Sequence, residues 1–282
     1  GGTAKMKKNI RAFLERNRWL KAVPNSLTLC NSLCGFAAII NTLRVYERMY
    51  IREGSTDAAE ILAQSALLIL SAMIFDALDG FAARILNAAS MHGIQMDSLA
   101  DMVTFGVAPA TLIVVMTHSL PNFNEDNFYI VWLLSAIYLG GAALRLATYN
   151  VHAIVEKKSS DKFSGLPSPG AAAGICTTVI YYNSLGIEIR YLAIVLPIYC
   201  ALLGFLMVSR IQYAHFAKWL LSLRRNKKRL LLVIFVLAAA CWKLELTAFV
   251  AVNAYILFGI VAAIGRKFGI GRSSLETTAK EA

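Results

Sequence analysis

Apolar runs near twenty residues recur along almost the whole chain, at roughly 26–46, 60–84, 98–118, 128–150, 169–187, 190–209, 229–246 and 248–265. A run of that length with few charges is what an α-helix needs to cross the ~30 Å hydrocarbon core of a bilayer. Lipid offers no partner to a backbone N–H or C=O, so only helices and closed barrels can span it. The alternating segments of about ten residues that build a barrel are absent. The spacing therefore predicts an all-α polytopic membrane protein of eight spans, six in a core and two appended. Composition agrees: 57% of the 282 residues are hydrophobic, with a mean hydropathy of +0.58.

Charge then orients the spans. A net charge of +11 on a soluble chain would point to nucleic acid. On a membrane protein the Lys and Arg residues mark cytoplasmic loops and face anionic lipid headgroups, so membrane lipids are the expected partner and nucleic acid is not. Residues 5–21 interleave Lys5, Lys7, Lys8, Arg11, Arg16, Arg18 and Lys21 with Ile10, Phe13, Leu14, Trp19 and Leu20, the pattern of an amphipathic helix lying in the interface. That start has no long apolar stretch, so no cleavable signal peptide is expected. Lys157, Lys158 and Lys162 mark one further cytoplasmic loop, the basic segment 210–229 another, and Arg266, Lys267 and Arg272 the tail. Pro121–Asn127 carries no cation and belongs outside; Arg44, Arg48 and Arg52 fit this topology less well. Both ends are expected in the cytoplasm. The chain divides into an interfacial helix (1–23), a six-span core (24–215), and a basic loop with two extra spans and a tail (216–282). The five cysteines lie in apolar segments without a CxxC spacing and read as small core residues.

The chemistry concentrates where spans two and three meet. Asp76, Asp79, Gly80, Ala83 and Arg84 are followed by Gly93, Asp97 and Asp101. One ionised Asp at membrane depth costs about 2.5–3.5 kcal/mol, so four gathered together need a physical reason. On a helical wheel Asp79 lies about −60° from Asp76, Gly80 about +40° and Ala83 about −20°, which puts two carboxylates and two minimal side chains on one face. Asp97 and Asp101 are one turn apart on the next helix. The stretch with Asn87, Ser90, His92 and Gly93 is expected to form the turn between them, so that each helix presents two Asp to a shared cleft. Four such charges would repel strongly unless compensated. A donor set of oxygens alone suits hard cations, Mg²⁺, Mn²⁺ or Ca²⁺, and no His or Cys stands at ligand spacing to favour zinc. Two divalent ions would balance four carboxylates, and paired metals are a standard device for displacement at phosphorus.

The run also matches, at every fixed position, the signature of the CDP-alcohol phosphotransferase family, D-x2-D-G-x2-A-R-x8-G-x3-D-x3-D. Residues 24 to about 215 resemble that family's six-helix core, and within it the bacterial and archaeal phosphatidylserine synthases. The stretches that carry this are Pro24-Asn25 with Thr28, Asn31 and Gly35; Met96 to Asp101; Phe105 to Ala110; Arg145 to Asn150; Phe163 to Pro169; and Met207-Val208-Ser209. The resemblance implies transfer of a phosphatidyl group from CDP-diacylglycerol to L-serine with release of CMP. The lipid tails would lie in the bilayer and the site at the cytoplasmic face of the cytoplasmic membrane. It implies that Asp76, Asp79, Asp97 and Asp101 hold two divalent ions, Mg²⁺ or Mn²⁺, with Asp101 also taking the proton from the acceptor hydroxyl. Asn25, Thr28, Gly80, Ala83, Arg84 and Gly93 would lie along the nucleotide and its phosphates. It implies a homodimer, for which Gly140-Gly141-Ala142-Ala143 offers a small-residue surface that could equally serve packing within one chain.

An amino-acid acceptor needs a cation for its carboxylate. Arg145, the only cation of span four and near its cytoplasmic end, is the best candidate, with Asn150 and Ser168 as weaker ones. Where the family often places a second Arg three residues on, this chain has Thr148, and Ala214 stands where a Pro often follows the aromatic after Met-Val-Ser. The same chemistry with glycerol 3-phosphate, an inositol phosphate or choline, or with an archaeal CDP-lipid, is the nearest alternative. A phosphorylated acceptor would call for more cations than Arg84 and Arg145. A divalent-cation transporter is the distant one, and it would need acidic residues or broken helices in several spans. His92, His118, His152 and His215 are read as loop or headgroup residues, and Trp19, Trp132, Trp219 and Trp242 as interfacial anchors.

Overall fold

A computed structural model describes residues 22–51, 56–86, 90–119, 125–155, 165–186, 189–211, 213 and 243–267. Among the described residues every regular element is helical. The elements are α1 (Ala22–Ile51), α2 (Thr56–Ile85), α3 (Met91–Asp101), a π-helical turn (Met102–Val107), α4 (Ala108–His118), α5 (Glu125–Val155), α6 (Ser168–Ser184), α7 (Ile189–Val208) and α8 (Leu244–Lys267). The π turn joins α3 and α4 into one span. Five stretches are long and apolar enough to cross a membrane: Ala22–Arg48, Ala58–Ile85, Met91–His118, Phe128–Val151 and Leu244–Gly265. In α7 a shorter apolar stretch covers Val195–Val208. The chain is thus an all-α polytopic membrane protein, as its hydropathy predicts. The expected interfacial helix, most of the expected span at 229–246, and His215, Trp19, Trp219, Trp242 and Cys241 lie outside the described residues.

Two boundaries differ from expectation. The turn expected over Asn87–Gly93 ends early: Ser90 caps α3, its Oγ accepting from the Gly93 N–H at 3.0 Å, so His92 and Gly93 lie in the first helical turn. The expected break between the last two spans at 246–248 is absent. Leu244–Lys267 is unbroken, because no Gly or Pro precedes Gly259 within it.

Helix α6 is the axis of the bundle. Its first turns, Gly170-Ala171-Ala172-Ala173-Gly174, are small enough to let neighbours close in on every side, and Ala171 to Val179 are buried. The core continues into Phe105, Leu112, Ile113 and Met116 of the third span and Leu196, Leu203 and Met207 of α7. Helices α1 and α5 turn apolar faces outward; Leu29, Leu33, Phe36, Ile40 and Leu43 form one such stripe on α1, where lipid is the solvent. The antiparallel pair α1/α2 is pinned near both ends. Thr28 Oγ1 donates to Asp79 Oδ2 at 2.8 Å, and Asn41 Nδ2 donates to Ser65 Oγ at 3.0 Å and to the Ile61 carbonyl at 3.1 Å. The small-residue surface of span four is used within the chain at Gly141. A Cβ there would stand 2.5 Å from the Gly204 carbonyl oxygen, and one on Gly204 would stand 2.7 Å from Tyr138 Cα. Gly140, beside it, faces open space.

Cys176 and Cys200 are buried core residues as expected, while Cys30 and Cys34 are half-buried on α1. His118 is exposed and makes edge-on contacts with Tyr46 and Phe128, at ring centroid distances of 5.5 and 5.7 Å.

Candidate active site

The carboxylates of Asp76, Asp97 and Asp101 each bring one oxygen within 4.8 Å of the others. Asp76 comes from the last turns of α2, and Asp97 and Asp101 from consecutive turns of α3. Two features of local sequence place them. Ser90 fixes where α3 starts, so that the four-residue spacing of Asp97 and Asp101 faces α2. Gly35 then lets α1 lie directly on the π turn: a Cβ on Gly35 would stand 2.8 Å from Thr104 Cα. Thr104 Oγ1 donates to the Asn31 carbonyl at 3.1 Å, and Asn31 Nδ2 donates to Asp101 Oδ1 at 3.1 Å. The π turn widens the helix immediately after Asp101, and the buried Tyr138 hydroxyl donates to the Phe105 carbonyl within it at 2.7 Å.

Asp79 stands slightly apart from the triplet. Its carboxylate is buried, with Oδ2 taken by Thr28, and it remains within electrostatic range of Asp76, Asp97 and Asp101. The four acidic groups are therefore one electrostatic unit, arranged as three converging oxygens and a tethered neighbour. The set expected from the helical wheel had all four converging. Thr28, reaching across from α1, accounts for the difference.

The residues present fit a hard divalent cation. The converging donors are carboxylate oxygens, and Asp97 Oδ1 is buried without a hydrogen-bond partner among the described residues. An orphaned buried carboxylate oxygen is costly in protein and more so in lipid, and an ion would satisfy it. Among the described residues Asn31 Oδ1 is also buried without a hydrogen-bond partner, beside Asp101.

The remaining expected residues fall around this centre. Asn25 and Gly93 meet: a Cβ on Gly93 would stand 3.6 Å from Asn25 Oδ1. Gly80 and Ala83 are half-buried on α2. Arg84 is exposed and folds back, its Nε donating to the Gly80 carbonyl at 2.8 Å. Asn150 Oδ1 accepts from Ser98 Oγ at 2.8 Å, so this residue braces α3 next to Asp97. Thr148 Oγ1 donates to the Leu144 carbonyl at 2.7 Å on its own helix. Ser168 is buried at the start of α6. Arg145 is half-buried, and its Nη1 lies 3.0 Å from where a Cβ on Gly165 would be. Gly165 adopts φ +94°, a backbone that glycine tolerates best, and sits against the Met207 carbonyl.

Asn31 has a place in the site that its position in a matching stretch did not disclose. Its partner Asp101 is 70 residues away, and a carboxamide within a largely apolar span was the available signal.

The family model described as CDP-alcohol phosphatidyltransferase matches residues 21–204. The chain is 34% identical over 197 residues to the CDP-diacylglycerol–serine O-phosphatidyltransferase of Bacillus subtilis (strain 168), covering 70% of this chain and 92% of that protein. It is 32% identical over 201 residues to the protein of the same name from Helicobacter pylori (strain J99), covering 69% and 77%. It is 31% identical over 196 residues to the archaetidylserine synthase of Methanothermobacter thermautotrophicus, covering 68% and 69%. The matched segment contains the whole carboxylate cluster together with Asn25, Asn31 and Arg145. The chain belongs to the CDP-alcohol phosphatidyltransferase family.

Proposed function

We propose that the protein transfers the phosphatidyl group of CDP-diacylglycerol to the hydroxyl of L-serine, giving phosphatidylserine and CMP. The observation that carries this is the convergence of Asp76, Asp97 and Asp101, with Asp101 steadied by Asn31, in a chain whose curated relatives are named as serine O-phosphatidyltransferases. Asp76, Asp79, Asp97 and Asp101 would hold two divalent ions, Mg²⁺ or Mn²⁺. When bound, these supply positive charge to the diphosphate and to the charge that builds on departing CMP. The chain's own groups do the rest.

Serine Oγ attacks the phosphorus next to the lipid. A serine hydroxyl is a poor nucleophile at neutral pH, and Asp101 accepts its proton as the new P–O bond forms. The bond from that phosphorus to the CMP oxygen breaks, and CMP carries away the electron pair. Asn31 holds Asp101 by one oxygen, which fixes the position of the carboxylate that takes the proton. Asn25 and Gly93, which meet beside this centre, lie along the nucleotide. Arg145 pairs with the serine carboxylate. The site lies at the cytoplasmic face of the cytoplasmic membrane, with the lipid tails between helices and bilayer. The domain division at 24–215, with a basic interfacial helix before it and an appended segment after it, belongs to this reading, as does a homodimer.

The test is CMP release from purified protein supplied with CDP-diacylglycerol, comparing serine with glycerol 3-phosphate, an inositol phosphate and choline, with and without EDTA. Serine-dependent, EDTA-sensitive release is expected. Equal release with another alcohol, or release indifferent to EDTA, would refute it. Arg145→Ala should raise the serine KM far more than that for CDP-diacylglycerol.

A further inference from the structure

Helix α8 lies outside the segment that the family model matches, yet it is seated closely on the core. Phe249, Asn253, Ile256 and Gly259 share one face. Phe249 stacks on Tyr181 of α6 at 4.9 Å, and Asn253 Oδ1 accepts from Tyr199 of α7 at 2.8 Å. Ile256 Cδ1 lies 3.0 Å from where a Cβ on Gly174 would be. Gly259 leaves a notch filled by the Tyr213 ring, whose hydroxyl lies 3.5 Å from the Ile256 carbonyl. Every one of these contacts needs a small or complementary residue on the core side, so the docking is built rather than incidental.

Next on the same helix is Tyr255. Its ring is tilted against Tyr213 at a centroid distance of 5.6 Å. Two residues before Tyr213, the Ile211 carbonyl accepts from the Gly165 N–H at 2.7 Å, and Gly165 in turn abuts Arg145. Tyr255 is also within electrostatic reach of the Arg145 guanidinium, as is Tyr149 one turn along α5. A half-buried cation at this depth can take more than one rotamer, and a phenol from an adjoining helix limits that choice.

We propose that α8 completes the acceptor pocket, and that Tyr255 is a positioning residue for Arg145, holding its guanidinium towards the anionic group of the acceptor. This rests on the acceptor role given to Arg145 above. It assigns a purpose to an appended span whose sequence carries no motif of its own.

The experiment is steady-state kinetics on the full-length protein with Tyr255→Phe, which keeps the ring against Tyr213 and removes the hydroxyl. The serine KM should rise about tenfold, equivalent to ~1.4 kcal/mol, as the guanidinium loses the neighbouring phenol hydroxyl that limits its rotamers. The kcat at saturating serine and the KM for CDP-diacylglycerol should stay within about twofold. In an Arg145→Ala background the same substitution should add less than about twofold, because its effect passes through Arg145. Phe249→Leu, which loosens α8 at its other end, should lower thermal stability without separating the two KM values. An unchanged serine KM in Tyr255→Phe, a parallel rise in both KM values, or full additivity with Arg145→Ala would overturn the proposal. Should the wild type release CMP with another anionic alcohol in place of serine, the functional reading fails by itself, and the tenfold shift is then read on that alcohol.

Discussion

Substituting Gly35 by alanine should damage catalysis through backbone spacing alone. The added Cβ would stand 2.8 Å from Thr104 Cα, whereas contacts at or above 3.4 Å are ordinary. The Cβ would also press on Thr104 Oγ1 and Cβ, but Thr104 Cα is backbone, so no rotamer change relieves that contact, and α1 must move away from the π turn by at least about 0.6 Å. That movement stretches the 3.1 Å bond from Thr104 Oγ1 to the Asn31 carbonyl beyond hydrogen-bond range and carries Asn31 Nδ2 off Asp101. A misplacement of ~1 Å at a reacting group costs on the order of 100-fold in rate, so a drop in kcat of about 10- to 100-fold is expected. The assay is serine-dependent CMP release by detergent-purified protein, with size-exclusion profile and thermal transition recorded alongside. Gly140→Ala is the comparison, because a Cβ there meets nothing within 4 Å and activity should stay within about twofold. A Gly35→Ala protein that turns over within about twofold of wild type would refute the argument that this contact sets the position of Asp101.

Three further outcomes follow from the same geometry. Asp101→Asn should abolish transfer while CDP-diacylglycerol binding survives, and wild-type turnover in that variant would remove Asp101 as the base. Asn31→Ala should lower kcat about tenfold with little change in either KM, since it loses one bond to Asp101; a selective rise in the CDP-diacylglycerol KM would instead place Asn31 on the nucleotide. Tyr138→Phe leaves the Phe105 carbonyl without its 2.7 Å donor in a buried place, and should cost about 1–2 kcal/mol of stability, read as a lowered thermal transition; an unaltered transition would mean that the π turn does not depend on that bond.

The sequence pattern and the structure agree most closely where physics acts locally. Apolar run length located the described helices near their observed places, with five stretches long and apolar enough to cross a membrane, and the four-residue spacing of Asp97 and Asp101 put them on one face. What sequence did not disclose depends on residues brought together from far apart. Thr28 and Asp79 are 51 positions apart, and their bond draws one carboxylate out of an arrangement that a helical wheel makes fourfold. Ser98 and Asn150 are 52 apart, and their bond gives Asn150 a bracing contact on α3 that its sequence position did not show. The π turn after Asp101 arises from contacts with Gly35 and Tyr138 in other spans, and no residue within Met102–Val107 announces it. The misplaced turn at His92 and Gly93 is of another kind. Ser90 followed by Gly93 is a local capping signal, outweighed there by the polar, turn-like composition of the whole stretch.

Binding of Mn²⁺ to the purified protein, followed by electron paramagnetic resonance as the free-ion signal is titrated away, addresses the carboxylate centre without requiring turnover. Saturable binding by the wild type, displaced by Mg²⁺ and lost in Asp97→Asn with the fold retained, is the expected result. A wild type that leaves the free-ion signal untouched, or an Asp97→Asn protein that binds as tightly, would contradict a site built by Asp76, Asp97 and Asp101 to hold divalent cations.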